Sequence, residues 1–419
     1  QIGTSSVDRA YGVATDSSDN VYVTGYTNAR IFDGNTNAGA DYGGLIGYNG
    51  GPEPLLIKYN TSGIKQWSRL LGSSLHDIAY GVATDSSGNV YVTGVTYGSM
   101  DGFTNAGGSD IFVIKYNSSG TKQWTRLLGT SGYGNRITDI AYGVATDSSD
   151  NVYVTGYTEG GLDGNSSAGS RDLFVVKYNS SGTKQWTKQL GTSYDDEARG
   201  IATDSSGNIY VTGYTNGGLD GSTSTGGRSL FVVKYGWRGN IDWRKQLGTD
   251  IEYNSSSSVA IDSSGNVYVT GKTYTHVSHI IVVKYNTSGT MQWTKVIKAK
   301  RAKKNDPYSE QSFGNGVAID SSGNVYVTGN TNGGLDDYIN AGLDGYSNED
   351  DGDIFVIKYN SSGTKQWTKQ LGTSSDDDAR GIATDSSGNI YVTGSTNAEL
   401  NGNTSAGDSD IFVMKYNAQ

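Results

Sequence analysis

Cysteine is absent from the 419 residues, and only three histidines (His76, His276, His279), three prolines and three methionines occur. Disulfides, thiolate metal sites and a cysteine nucleophile are excluded, and histidine-based triads or metal-hydrolase centres have too few members to assemble. No run of 18 apolar residues exists, so a membrane-spanning helix is not expected, and the first residues do not read as a basic segment leading into an apolar one. Basic residues are outnumbered, 32 Lys and Arg against 42 Asp and Glu, and a chain of net charge −10 repels a phosphate backbone, which argues against nucleic acid as a partner. Apolar residues make up 34% of the chain and glycines number 61, a balance close to that of disordered polymers. The 30 Tyr, 7 Trp and 8 Phe recur at regular spacing, however, which marks ordered repetition.

The repeat has one anchor, Asp-Ser-Ser-Gly/Asp-Asn, beginning at Asp16, Asp85, Asp147, Asp204, Asp262, Asp320 and Asp385. A spacing of about 60 residues is too long for a solenoid coil and suits a four-stranded blade. The unit from Ala79 to Ser131 shows the grammar: AYGVATD, the turn SSGN, VYVTGVT, a Gly/Asn-rich loop, DIFVIKYN, the turn SSG, and TKQWTRLLGTS. VYVTGVT alternates as a pleated strand does, whereas Ile111-Phe112-Val113-Ile114 is continuously apolar, as expected of a strand covered on both faces. Nothing reads as a long amphipathic helix.

Seven such sheets predict an all-β fold, a seven-bladed β-propeller of four antiparallel strands per blade in one domain spanning residues 1–419. The last blade has three strands after Asp385, while Gln1-Ile2-Gly3-Thr4-Ser5 matches Gln370-Leu371-Gly372-Thr373-Ser374, so the N-terminal strand is expected to close the ring. That strand is expected to be short, because Lys365-Gln366-Trp367 has no counterpart before Gln1. The strings DSSGNVYVTG and IFVIKYNSSGTKQW resemble the SBBP repeats, a beta-propeller repeat family of bacterial and archaeal surface proteins. The resemblance covers nearly the whole chain. It implies a secreted or cell-surface propeller and supplies no catalytic residue. The loop Asp41–Pro54 and the insertion Lys298–Gln311 depart from the repeat.

Strand alternation puts the DSSGN and NSSG turns on one face and the variable loops on the other, where binding surfaces are expected. The residue before the inner-strand glycine position is Tyr11, Tyr80, Tyr142, Arg199, Ser257, Asn315 and Arg380 in successive units. Seven-fold geometry places these in a ring at the channel mouth, where tyrosine and arginine suit sugars or anions; the alternative is that they fill the channel and pair with one another. Acidic neighbours (Asp195, Asp196, Glu197, Asp376, Asp377, Asp378) bias the mouth towards polyols or cations.

Oxygen-bearing residues recur in the loops after the second strand: Asp33, Asn35, Asn37 and Asp41; Asp101, Asn105 and Asp110; Asp163, Asn165 and Asp172; Asn401, Asn403 and Asp410. Such spacing suits a calcium loop, and calcium is the one cofactor the sequence suggests, although Asx turns use the same letters. N-glycosylation sequons stand at Asn60, Asn117, Asn179, Asn286 and Asn360 in the uniform turns, and at Asn165, Asn254 and Asn403. Lys298, Lys300, Arg301, Lys303 and Lys304 form a basic run, and His276 and His279 stand three apart without a third metal ligand.

Three functions compete. Near-identical units (Ser181–Ser193 repeats as Ser362–Ser374) and the lack of a catalytic constellation favour an extracellular structural or adhesive surface protein, with copies of itself or other surface proteins as partners and strand donation as a route to filaments. A calcium-assisted carbohydrate-binding propeller is the alternative, with glycans as partners and avidity from repeated pockets. A polysaccharide-acting enzyme would need a carboxylate pair that no spacing singles out.

Overall fold

The chain's repeat letters do local structural work. In the second unit the anchor Asp85 accepts bonds at Oδ1 from the N–H groups of Ser87 (3.0 Å) and Asn89 (2.8 Å), and at Oδ2 from Asn89 Nδ2 (2.7 Å) and the Tyr91 hydroxyl (2.8 Å). The same four-residue device recurs at Asp147, Asp204, Asp262, Asp320 and Asp385. Gly88 supplies the positive φ that closes the turn (73°). Burial alone would raise the Asp85 carboxyl, but the bonds from Asn89 and Tyr91 hold it below the ordinary value, and desolvation plus that carboxylate push the Tyr91 phenol up. Replacing Asp85 with alanine strands several buried donors, and we expect chemical denaturation to show a loss of about 2–3 kcal/mol, against about 1 kcal/mol for Tyr91→Phe.

The computed structural model describes residues 1–38, 51–132, 137–221, 227–248, 253–274, 276–300, 310–341 and 352–417. The first sheet is built from Asp8–Thr15, Val21–Thr27, Glu53–Tyr59 and Lys65–Leu70, in that order and antiparallel. Five further four-stranded sheets repeat this order, and a three-stranded seventh follows (Asp377–Thr384, Ile390–Thr396, Asp410–Tyr416). The first strand of every sheet lies innermost, against the first strands of its two neighbours.

Core forms between sheets rather than within a single layer. One cluster joins Tyr91, Ile111 and Val113 of the second sheet to Val152, Val154, Phe174 and Val176 of the third, and six others fill the remaining junctions. Tyr391 and Ile411 pack on Val21, Val23 and Leu55, so the seventh sheet meets the first and the ring is closed: a seven-bladed β-propeller with essentially no helix. Among the described residues no helix is long and apolar enough to cross a membrane.

The junction of the chain ends is slighter than a strand. Ile2 exchanges two backbone bonds with Ile411 (2.8 and 3.0 Å), Val7 bridges Ser409, and Gln1 Nε2 donates to Asp410 (2.7 Å). In the sixth sheet, by contrast, the third strand is paired along Ile354–Tyr359 with Leu371 back to Lys365.

Candidate functional site

Every inner strand carries a β-bulge at the same place. Pairing skips one residue between Ala10 and Gly12, Ala79 and Gly81, Ala141 and Gly143, Ala198 and Gly200, Ser256 and Ser258, Gly314 and Gly316, and Ala379 and Gly381. The skipped residues are Tyr11, Tyr80, Tyr142, Arg199, Ser257, Asn315 and Arg380, the ring expected from the sequence. A bulge re-aims the side chain it carries, and here it turns seven of them towards the axis. The second-strand glycine opposite each bulge follows from the same geometry: a Cβ on Gly213 would sit 1.8 Å from the Glu197 carbonyl oxygen.

All seven line one basin of about 500 Å³ on the variable face. Tyr11, Tyr80 and Tyr142 form a continuous aromatic arc with ring centroids 5.1 and 5.0 Å apart. Guanidinium groups cap both ends, Arg380 at 5.6 Å over Tyr11 and Arg199 at 4.0 Å over Tyr142. Burial raises all three phenols, with neighbouring phenols and carboxylates adding to it, so they remain neutral hydrogen-bonding groups. The ring residues thus pair with one another and still leave an open hollow between them.

Two acidic groups sit at its edge. Glu197 is 1% exposed and bridges Arg199 (2.6 Å) and Arg171 (2.6 Å); burial would raise its carboxyl, but Arg199, the Tyr214 hydroxyl and Arg171 together hold it low. Asp378 is raised by burial, against the pull of Arg380 and Arg9, and is paired with Arg380 and bonded by Asn315 Nδ2 (3.3 Å). Asp376 is pushed up to about 6 by burial and by Asp378.

The lining residues that were not singled out by sequence include Tyr214, Arg228, Ser255, Lys272, Phe313 and Asn330. Three of them fill the slot after the invariant Thr-Gly of the second strand (Tyr26, Val95, Tyr157, Tyr214, Lys272, Asn330, Ser395), a variable position in a fixed frame that was there to be read. Below the basin the hairpin side is drawn together by hydroxyls that donate to the preceding inner strand: Thr84 to the Thr15 carbonyl (2.7 Å), Thr146 to that of Thr84 (2.7 Å), Thr203 to that of Thr146 (2.7 Å) and Thr15 to that of Thr384 (2.9 Å).

The calcium candidates divide between two places. Asp33, Asp101 and Asp163 adopt left-handed turns (φ 49°, 50° and 59°) and pair outward with Lys65, Lys122 and Lys184. Asn35 Nδ2 donates to Ser68, Asn37 to the Ala29 carbonyl, Asn105 to the Thr96 carbonyl and Asn165 to the Leu162 carbonyl. Asp110 and Asp172 lie instead in the junctions between sheets, where Asp410 occupies the equivalent place, and Asp41 lies outside the described residues. Among the described residues no three His, Asp or Glu side chains converge as a metal group.

The five hairpin sequon asparagines are half-buried. In those at Asn60, Asn117 and Asn286, Oδ1 accepts two backbone N–H groups of its own turn. Asn165 is half-buried and Asn403 exposed, whereas Asn254 is buried in an inner strand and is no glycan acceptor in the folded chain. His279 is buried and His276 exposed, so they do not share a site. Of the basic run, Lys298 and Lys300 are described and the rest lies outside the described residues.

A ring of seven four-stranded units, joined by bulged inner strands around an axial basin, defines a β-propeller scaffold. The beta-propeller repeat of the SBBP family matches residues 1–33, 66–99, 123–163, 185–220, 242–276, 308–336 and 366–401, and the chain belongs to that family. It is 29% identical over 233 residues to an uncharacterized WD repeat-containing protein of Acanthamoeba polyphaga mimivirus, covering 43% of this chain and 16% of that protein. It is 28% identical over 216 residues to the regulatory protein FlaEY of Caulobacter vibrioides, covering 45% of this chain and 22% of that protein. The chain therefore corresponds to under a quarter of either relative's length. A crystal structure of a protein of unknown function from Dyadobacter fermentans shares the fold at 11% identity and a TM-score of 0.50, covering 100% of this chain and 97% of that one.

Proposed function

We propose that the chain acts outside the cell as a non-catalytic adhesive module, a rigid ring that holds a saccharide of a surface polymer at its channel mouth. The observation that carries this reading is the bulge repeated in all seven inner strands, which directs every variable inner side chain into one basin on one face. Stacked phenols flanked by guanidinium groups offer the flat apolar faces and the donors that pyranose rings use. The basin carboxylates Glu197 and Asp378 are tied to arginines, which suits binding better than proton transfer. The hairpin sequons lie on the opposite face, so glycans there would leave the basin open.

A glycan array read with and without calcium tests the reading. We expect binding that Tyr80→Ala weakens about ten-fold, with no new reducing ends after prolonged incubation. A blank array in both conditions, or turnover of the bound glycan, would contradict it.

A further inference from the structure

The seven-fold pattern breaks in one sector, and the basin opens there. Five junctions place two acidic side chains side by side (Asp410 and Asp8, Glu53 and Asp77, Asp110 and Asp139, Asp172 and Asp196, Asp353 and Asp377), but the two that flank the fifth sheet carry Ser229 with Asn254 and His279 with Ser312. The hydroxyl chain on the hairpin side also lacks its donors there, since Ile261 and Ile319 stand in place of threonine. In the fifth sheet the second and third strands extend to Tyr274 and Ser278, so the long connecting loop of the other sheets is missing.

A second hollow, of about 410 Å³, occupies this gap and is lined by Arg228, Lys272, Tyr274, Ser278, Gln311 and Phe313. Arg228, Lys272 and Phe313 line the central basin as well, so basin and hollow adjoin as a cleft in two parts, with two cations at the boundary. Their charges differ in kind from those of the other basin arginines. Arg199 and Arg380 are spent on Glu197 and Asp378, whereas among the described residues neither Arg228 nor Lys272 has an acidic partner. Arg228 lies 3.8 Å over the Tyr214 ring, with a buried Nε–H that meets no acceptor, and Lys272 lies 5.2 Å over Phe313. A buried donor without an acceptor, beside a second unpaired cation, is an incomplete arrangement that an anion completes.

We infer that this cleft binds an anionic saccharide chain, with uronate carboxylates held by Arg228 and Lys272 and sugar hydroxyls by Ser255 and Ser257. The inference rests on the saccharide-binding reading and narrows its ligand. Burial, and then the charges of Arg228 and Arg199, lower the Lys272 ammonium, the mutual repulsion expected of cations gathered before their counter-ion arrives. Two adjoining hollows of about 500 and 410 Å³ suit a chain of several sugars rather than a monosaccharide.

The probe is hexagalacturonate, titrated calorimetrically against the whole chain, with its fully methyl-esterified form as the uncharged control. We expect the acid form to bind at least about ten-fold more tightly than the ester, and Lys272→Met and Arg228→Gln each to weaken it about ten-fold. The surface change Lys122→Met should leave binding unaltered, and circular dichroism melting establishes that each variant is folded. Lys272→Met keeps an unbranched apolar stem while removing the ammonium, and so serves if Arg228→Gln disturbs Tyr214. Equal binding of acid and ester, or unaltered affinity in both variants, overturns the anionic assignment and leaves saccharide binding standing. Binding of neither form overturns both.

Discussion

Replacing Asp139 with asparagine is expected to stabilise the propeller at pH 8 by about 1–3 kcal/mol and to have little effect near pH 4.5. Asp139 is 0% exposed in the junction between the second and third sheets, where its N–H donates to the Ser109 carbonyl (3.1 Å). Its Oδ2 accepts the N–H (2.6 Å) and hydroxyl (2.9 Å) of Thr130, while its Oδ1, like that of Asp110, is buried without a donor. Burial, and the charge of Asp110 in addition, push its carboxyl up to about 6, although bonds from Thr158 and Thr130 act the other way. The folded chain therefore holds the proton more tightly than the unfolded chain, whose carboxyl has its ordinary value of 3.8. The resulting stabilisation is complete below pH 3.8 and is lost as the pH rises through 6, leaving an uncompensated buried charge above it. An asparagine amide keeps the Thr130 bonds and turns an N–H towards Asp110, as the neutral pair Ser229 and Asn254 illustrates at the next-but-one junction. Denaturation midpoints at the two pH values decide the matter: a destabilised variant at pH 8, or the same change at both pH values, would contradict the assignment.

Glu197→Ala is expected to cost about 2–3 kcal/mol and at the same time to increase the positive charge at the channel mouth. A single buried carboxylate serves Arg171, Arg199 and the Tyr214 hydroxyl, whose phenol burial and Glu197 push up to about 12. Removing one member of a buried ion pair strands the other. The cost falls below that of a fully buried pair because both guanidinium groups are about a third exposed to screening water. Arg199 would be released towards Arg228 and Lys272, so uronate binding should tighten several-fold in the same variant that melts earlier. Unchanged melting would show that the bridge carries no weight.

The fold was legible because its signals are local. Asp85 must cap its own hairpin and take the Tyr91 hydroxyl, so the spacing Asp-Ser-Ser-x-Asn-x-Tyr survives in every unit, and continuous apolar runs such as Ile111–Ile114 announce a strand packed on both sides. The ring at the mouth was legible for a similar reason, as one varying letter before a fixed glycine. Lys272 and Asn330 were readable in the same way, as a varying letter after a fixed Thr-Gly, but that they stand beside the ring follows only from the bulge in the pairing, and Arg228, in the loop before Ser229, carries no repeat signature at all. The oxygen-rich loops misled for the converse reason. Asp101 and Asp110 lie nine residues apart in one loop, but a left-handed turn sends the first out to Lys122 while the strand start carries the second into the junction, so neighbours in sequence part in space.

The claim on which the account depends is that the bulged inner strands make the channel mouth a ligand site. A crystal structure of the chain with hexagalacturonate bound tests it directly. The account places the saccharide in the basin beside Tyr11, Tyr80 and Tyr142, with carboxylates within hydrogen-bonding distance of Arg228 and Lys272. Saccharide seated on the hairpin face, or along the rim near the exposed Trp237, with the basin filled only by water, would contradict it.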